Sequence, residues 1–507
     1  MLLFWLIKFT YSLVTGMAFW FGEPAPSRRY VAEYNAEMLA LPESETAWRI
    51  VRQAALRPVP LIEGAKYPEM GIQATVPEDP LWPAMVRAVE AKKASIELAF
   101  KAAERSRMGM PLVVFEEAAT PPAKWEMLDH VDPKASPSPL EVSLQPLGRI
   151  RGWSRELAMD CRIAAEAGDS GRVMRDLLVM QKLAGLTRDP PLLICQLVDF
   201  AVCGLVARES GYVLASYPGL LDRGQLDTLA AELKRTRNRL RVELDWEWAI
   251  FLDWIGRVYS DDGKGNGVVT YSGLTEMESG GERPTWRRAF GLALTVLLGV
   301  DFSGVNGSKR DLLERLDSAR TALERDVETK PWSRTSWAID QVIREDGADM
   351  KQVGDFLLAV SMPGLKKAVE EWNSVTNRID VAILVTELER YRLEHGDYPR
   401  ALGDLQQWDR ETAPLDLMDG NPVRYQYREG QLPLVYSIGV DRVDDAGRAA
   451  EDNLRAGWLS SKSKWESGSE WEKDRLRGDC VYWPPVTVQW LDEGEKPFVP
   501  RRPLRKP

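Results

Sequence analysis

The first 22 residues, Met1 to Gly22 (MLLFWLIKFTYSLVTGMAFWFG), carry one charged side chain, Lys8. A helix needs about 20 apolar residues to cross a bilayer, and rings such as Trp5, Trp20 and Phe21 near its ends suit the two interfaces. Residues 1–22 therefore read as a transmembrane anchor, which predicts a single-pass protein with the membrane as a partner. A cleaved signal peptide is the main competing reading, although a basic start is missing and no small-x-small site precedes Glu23-Pro24-Ala25-Pro26. A buried core helix is the third. Lys8 and the terminal amine stand against Arg28 and Arg29, a balance that weakly favours a cytoplasmic body. A second apolar run, Ala289 to Val300, is too short to span and reads as a buried or membrane-touching helix.

Composition narrows the function more than the fold. With 66 Lys plus Arg against 76 Asp plus Glu, the net charge of -10 repels a phosphate backbone, and no basic face offsets it, so a nucleic-acid partner is not expected. The Pro-rich basic end, Pro500 to Pro507, reads as a solvated tail. Cys161, Cys195, Cys203 and Cys480 show no C-x-x-C spacing. Cys195 and Cys203 fall about 12 Å apart along one predicted helix, beyond disulfide reach, so buried thiols are expected.

His130 and His395 are the only histidines, too few for a His-based metal site, triad or acid/base pair. No phosphate-cradling G-x-x-x-x-G-K, dinucleotide G-x-G-x-x-G, G-x-S-x-G or H-E-x-x-H motif occurs. Neither catalytic nor cofactor-binding residues can be assigned. Asp262, Lys264, Asn266 and Gly267 mimic the opening of a calcium loop, but Gly273 at the twelfth position offers no carboxylate.

Along the chain, residues 30–146 read as short helices broken by prolines and closed by a Pro-rich connection. Residues 147–377 read as a helical array. Ser154 is expected to cap its first helix, which ends near Gly168-Asp169; Val173, Leu177, Met180 and Ala184 form the stripe of the second. A third places Leu193, Leu197 and Phe200 together, and a fourth runs from about Gln225 through Leu244 into Trp246, Trp248 and Trp254. The spacing is that of a generic array rather than a recognised repeat.

Residues 378–507 read as an α+β domain with a Trp-rich extension. A helix, Asn377 to His395, stops at Gly396; strands follow at Val423 to Tyr427 and Leu434 to Ile438, with a carboxylate-bearing turn, Asp441 to Asp445, after them. Val481 to Trp483 and Val486 to Trp490 read as further short strands. The order "YRLEHGDYP", "PLDLMDGNPVRYQY" and "YSIGVDRVDD" resembles the globular domain of type II secretion major pseudopilins over about residues 379–452. The resemblance implies calcium in the turn, held by Asp441 and more loosely by Asp444 and Asp445, and it implies an extracytoplasmic body. Two departures stand out. Arg442 replaces the family's Gly, and the anchor is separated from the module instead of joined to it, so a fibre subunit is not expected.

The expected fold class is thus mainly α: a membrane helix, a helical-hairpin array and a small pseudopilin-like α+β domain. The expected function is a membrane-anchored, non-enzymatic interaction or scaffold protein with a protein partner, linked to an envelope or secretion assembly. The alternative is a carboxylate-dependent carbohydrate-active enzyme using Trp458, Trp465, Trp471, Trp483 and Trp490. Two facing carboxylates in a Trp-lined cleft would favour that alternative.

Overall fold

The computed structural model describes residues 13, 17–24, 28–55, 72, 74–113, 138–139, 142, 144, 146–272, 308–334, 336–345, 353–405, 413–453, 465–466, 468–485 and 500–501. Over these residues the protein is mainly helical, with one small antiparallel sheet. Helices α1 (Tyr30–Ala40), α2 (Trp48–Ala55), α3 (Trp82–Ala91) and α4 (Lys93–Ala103) lead into α5 (Pro146–Ala167), α6 (Ser170–Leu186), α7 (Leu193–Ser216) and α8 (Arg223–Arg239). Next come α9 (Asp245–Val258), α10 (Lys309–Glu328), α11 (Ala338–Glu345) and the long α12 (Val353–His395). The sheet has the order β1-β2-β3, from β1 (Arg424–Gln426), β2 (Leu434–Ser437) and β3 (Cys480–Trp483), with α13 (Glu470–Leu476) shortly before its last strand.

Helix α5 begins at Pro146, eight residues before Ser154. Proline suits the first helical turn because its missing N–H has no partner there to lose. Ser154 sits in the helix interior instead of capping it, and its buried hydroxyl donates to the Ile150 carbonyl at 2.9 Å. The other end is as expected: Gly168 takes φ +78°, and the Asp169 side chain caps α6 by accepting from the Arg172 N–H. Val173, Leu177, Met180 and Ala184 are fully buried on the predicted stripe.

The fourth predicted helix is two. The chain leaves α8 at Leu240 in an extended conformation and re-enters a helix at Asp245. Distant side chains serve the backbone of the break. The Trp372 indole donates to the Leu240 carbonyl (3.1 Å), Arg188 to the Arg241 carbonyl, and the Gln196 amide bonds both N–H and C=O of Glu243.

Two cores share the interior. The larger joins α1–α8, the second half of α12 and the sheet through residues such as Trp153, Phe200, Leu384, Val435 and Trp483. The smaller gathers α9–α11 and the first part of α12, with Trp254, Leu323 and Val369. Leu197, Val242 and Trp372 touch both. Cys161, Cys195, Cys203 and Cys480 are buried, and none is in a disulfide.

The structure corrects the membrane reading. Among the described residues no helix is long and apolar enough to cross a membrane. Of the apolar segment, Phe19 is buried in the smaller core, with its ring 5.1 Å from Trp20 and 6.1 Å from Tyr271. The Gly22 carbonyl accepts from Ser272 Oγ at 3.0 Å. The aromatic end of the segment is thus packed on protein, where it covers Tyr271, instead of resting at a lipid interface. The single-pass placement is overturned with the anchor. The apolar run Ala289 to Val300 and His130 lie outside the described residues.

A candidate acidic turn on a buttressed module

Helix α12 ends where the sequence predicts, with Gly396 at φ +87°. His395, in its last turn, stacks on Tyr391 at 3.9 Å and contacts the Tyr391 carbonyl through Nδ1 at 3.0 Å, a structural placement. The turn after the helix folds back through a buried hub. Glu389 accepts from Arg392 through both oxygens, from Tyr398 Oη (2.9 Å) and from the Gly219 N–H (2.8 Å). One carboxylate therefore ties the module's first turn to the end of α7. Trp483, fully buried at the far side of the module, does the same with its indole N–H on the Gly211 carbonyl at 3.1 Å.

A second hub organises the strands. Asp416 is fully buried and accepts from the Met418 and Ile438 N–H groups (both 2.9 Å), Ser437 Oγ (2.7 Å) and Arg424 Nη1 (2.9 Å). Burial pushes its carboxyl up, and these donors offset only part of the effect. Asp416 thereby fixes β2 beside the turn that precedes β1.

The predicted metal residues occupy the next turn, where separate partners hold them. Asp441 accepts from the Val443 N–H (3.1 Å) and, through its other oxygen, from the Gly478 N–H (2.7 Å). Asp444 accepts from Tyr436 Oη (3.2 Å) and the Ala446 N–H (3.0 Å), and Asp445 lies 3.7 Å from Arg448. Arg442 and Ala446 both take positive φ, 59° and 58°, which costs energy for residues with a Cβ and is sustained here by the bonds on either side. Among the described residues, no group of three or more His, Cys, Asp or Glu side chains is placed to hold a metal ion.

Sequence reasoning missed Asp479. It is fully buried beneath the turn, and Oδ2 accepts from the Gly447 N–H at 2.6 Å while Oδ1 has no hydrogen-bond partner. Burial, reinforced by Asp444 and Asp445, pushes its carboxyl up to about 6. Its one sequence signal is an acid immediately before an apolar strand, which does not say that the strand lies under the turn.

Several buried carboxylates of the array, Glu209, Asp199 and Asp253 among them, are paired with arginines. Arg162 grips fully buried Glu209 with Nε (2.6 Å) and Nη2 (3.1 Å), Arg208 adds a third bond at 3.0 Å, and the Arg162 guanidinium lies 4.0 Å from the Tyr212 ring centre. Burial would raise Glu209, but the two guanidinium groups outweigh it and hold the carboxyl below its ordinary value.

Asp176 is the opposite case. Burial and neighbouring Asp160 push its carboxyl well above the carboxylate range, and Arg175 only partly opposes them. The folded state therefore keeps a proton that the unfolded chain releases near the ordinary value, so stability falls as pH rises above that range. Asp176→Asn supplies a neutral donor toward Asp160 at every pH. It is expected to melt higher than the parent at pH 7.5, with the gap closing toward pH 4. A gap independent of pH would contradict the buried proton.

Of the tryptophans behind the enzyme alternative, Trp483 is core, Trp465 packs on the Leu417, Met418 and Ile438 cluster, and Trp471 is 67% exposed with Arg475 over its ring. Trp458 and Trp490 lie outside the described residues. No family model, curated protein or solved structure matches the chain.

Proposed function

We propose that the protein is a non-enzymatic scaffold, in which a helical body holds a pseudopilin-like module in fixed orientation and offers its 441–445 turn to a protein partner. The pseudopilin resemblance points to an envelope or secretion assembly as the class of partner. The carrying observation is Val443, which is 55% exposed at the tip of this turn while Asp441 and Asp444 are turned back to brace it. An apolar side chain on a rigid projecting turn loses little conformational entropy on binding, which is what a docking contact needs.

A photo-crosslinking residue at position 443, introduced into the full chain in its native cells, is expected to yield a discrete adduct that the same residue at position 39 does not, although Leu39 is equally exposed at 54%. No adduct, or the same adducts from both positions, would refute the docking role.

The pseudopilin resemblance also implies calcium in this turn, with Asp441, Asp444 and Asp445 as the carboxylates that would hold it. Adding calcium is expected to raise the melting temperature of the parent and to leave Asp441→Ala unmoved. A shift that survives this substitution, or no shift in the parent, counts against the ion.

A further inference from the structure

The helical body and the module together enclose a cleft of about 430 Å³, away from the acidic turn. One wall is α12, with Trp372, Asn373, Thr376 and Asp380; the others are Arg237 of α8, the turn carrying Trp332, and residues 413–415 of the module. Clefts at such junctions are common ligand sites when a few polar groups converge on apolar walls.

The walls are rigid. The Trp372 indole is held by the Leu240 carbonyl, and Asn377 is spent on the Leu415 carbonyl (2.6 Å) and Tyr482 Oη (2.8 Å). Trp332 rests against Gly420 so closely that a Cβ there would overlap the indole, and Gly420 holds φ +77°, a conformation glycine adopts without strain.

Several polar groups on these rigid walls lack partners. Thr376 is 9% exposed, yet its hydroxyl makes no hydrogen bond. A buried unmade hydrogen bond costs about 1–3 kcal/mol, so the group calls for an explanation. Asn373 donates through Nδ2 to the Val369 carbonyl, and no bond to its Oδ1 is found among the described residues. Arg237 meets both Asp380 oxygens through Nε alone (2.9 and 3.0 Å), which leaves both Nη groups unbonded among the described residues.

We infer that this cleft binds a saccharide. Trp332 and Trp372 give the cleft aromatic walls against which the C–H side of a pyranose ring can pack, while a hydroxyl, an amide oxygen and a guanidinium supply the mixed donors and acceptors that ring hydroxyls require. Arg237 and Lys330 are matched by Glu328 and Asp380 in the lining, so the cleft carries no net charge and suits a neutral polyol better than a phosphate or other polyanion. This site shares no residue with the Val443 turn, so the scaffold reading and the saccharide reading stand or fall separately.

The test is a printed glycan array probed with the full chain, followed by titration of the strongest-binding free glycan while tryptophan fluorescence is read. Binding is expected to weaken at least about tenfold in Trp332→Ala, from the lost stacking face, and about threefold in Thr376→Val. Trp332→Phe, which keeps an aromatic face, is expected to restore most of the affinity, and Trp471→Ala, remote from the cleft, to leave it unchanged. Melting curves identify any variant that fails to fold; Thr376→Val keeps the branched shape of the side chain and carries the test if Trp332→Ala is lost. Retention of no glycan, or equal affinity in Thr376→Val and the parent, overturns the inference.

Discussion

Glu209→Ala is expected to cost about 3–5 kcal/mol of unfolding free energy, read from the shift in urea midpoint at constant slope. The magnitude follows from what is left behind. Arg162 is 10% exposed at its side chain, and two of its three protein hydrogen bonds go to Glu209; the third goes to the Thr75 carbonyl at 3.2 Å. Removing the carboxylate strands a guanidinium in the interior beside Cys161 and the Tyr212 ring, neither of which can neutralise it. Converting the whole group, Arg162→Met with Glu209→Leu, is expected to recover most of the loss, because the pair is costly to desolvate and contributes little net stability. A single-mutant cost below about 1 kcal/mol would show that water reaches the pair and that the site is not the dry interior described above.

The second large effect is expected from Trp483→Ala, also about 3–5 kcal/mol. Trp483 is fully buried, stands edge-on to Tyr398 at 5.8 Å between centroids, and gives its indole N–H to α7. Its removal opens a cavity bounded by the module on one side and the array on the other, and leaves the Gly211 carbonyl without this donor. Trp483→Phe fills most of the cavity and loses only the hydrogen bond, so its cost is expected to be well under half as large.

How much of this was legible depends on how local each determinant is. The α6 stripe and the α12 stop at Gly396 follow from residue spacing and from glycine's freedom at positive φ, and both stand where the sequence places them. The strands predicted at Val423 to Tyr427, Leu434 to Ile438 and Val481 to Trp483 also coincide with β1, β2 and β3. The break at Leu240 does not, because the donor that permits it, Trp372, lies 132 residues further on. A helical reading of that stretch satisfies every local rule, and only tertiary hydrogen bonds decide against it.

The N-terminal error has the same origin. An apolar run with aromatic ends has one hydrophobicity whether lipid or protein covers it. The cover at its described end comes from Tyr271 and Ser272, some 250 residues away in sequence. At the acidic turn, Asp441, Asp444 and Asp445 are readable as acids on a turn, whereas the buried Asp479 beneath them is brought there by strand pairing, which its place before an apolar strand does not reveal. The cleft between Trp332 and Trp372 is equally silent, since its walls come from four separate stretches of chain.

That the module and the helical array form one body is what makes the 441–445 turn a fixed projection, and hydrogen exchange on the parent and on Trp483→Ala tests it most directly. If Trp483 and Glu389 bind the two parts as described, amides in the second half of α7 lose protection together with those of β2 and β3 when Trp483 is removed, and by a similar factor. If the strands lose protection while α7 exchanges as in the parent, the module is an independent unit resting on the array, and the single-body account is wrong.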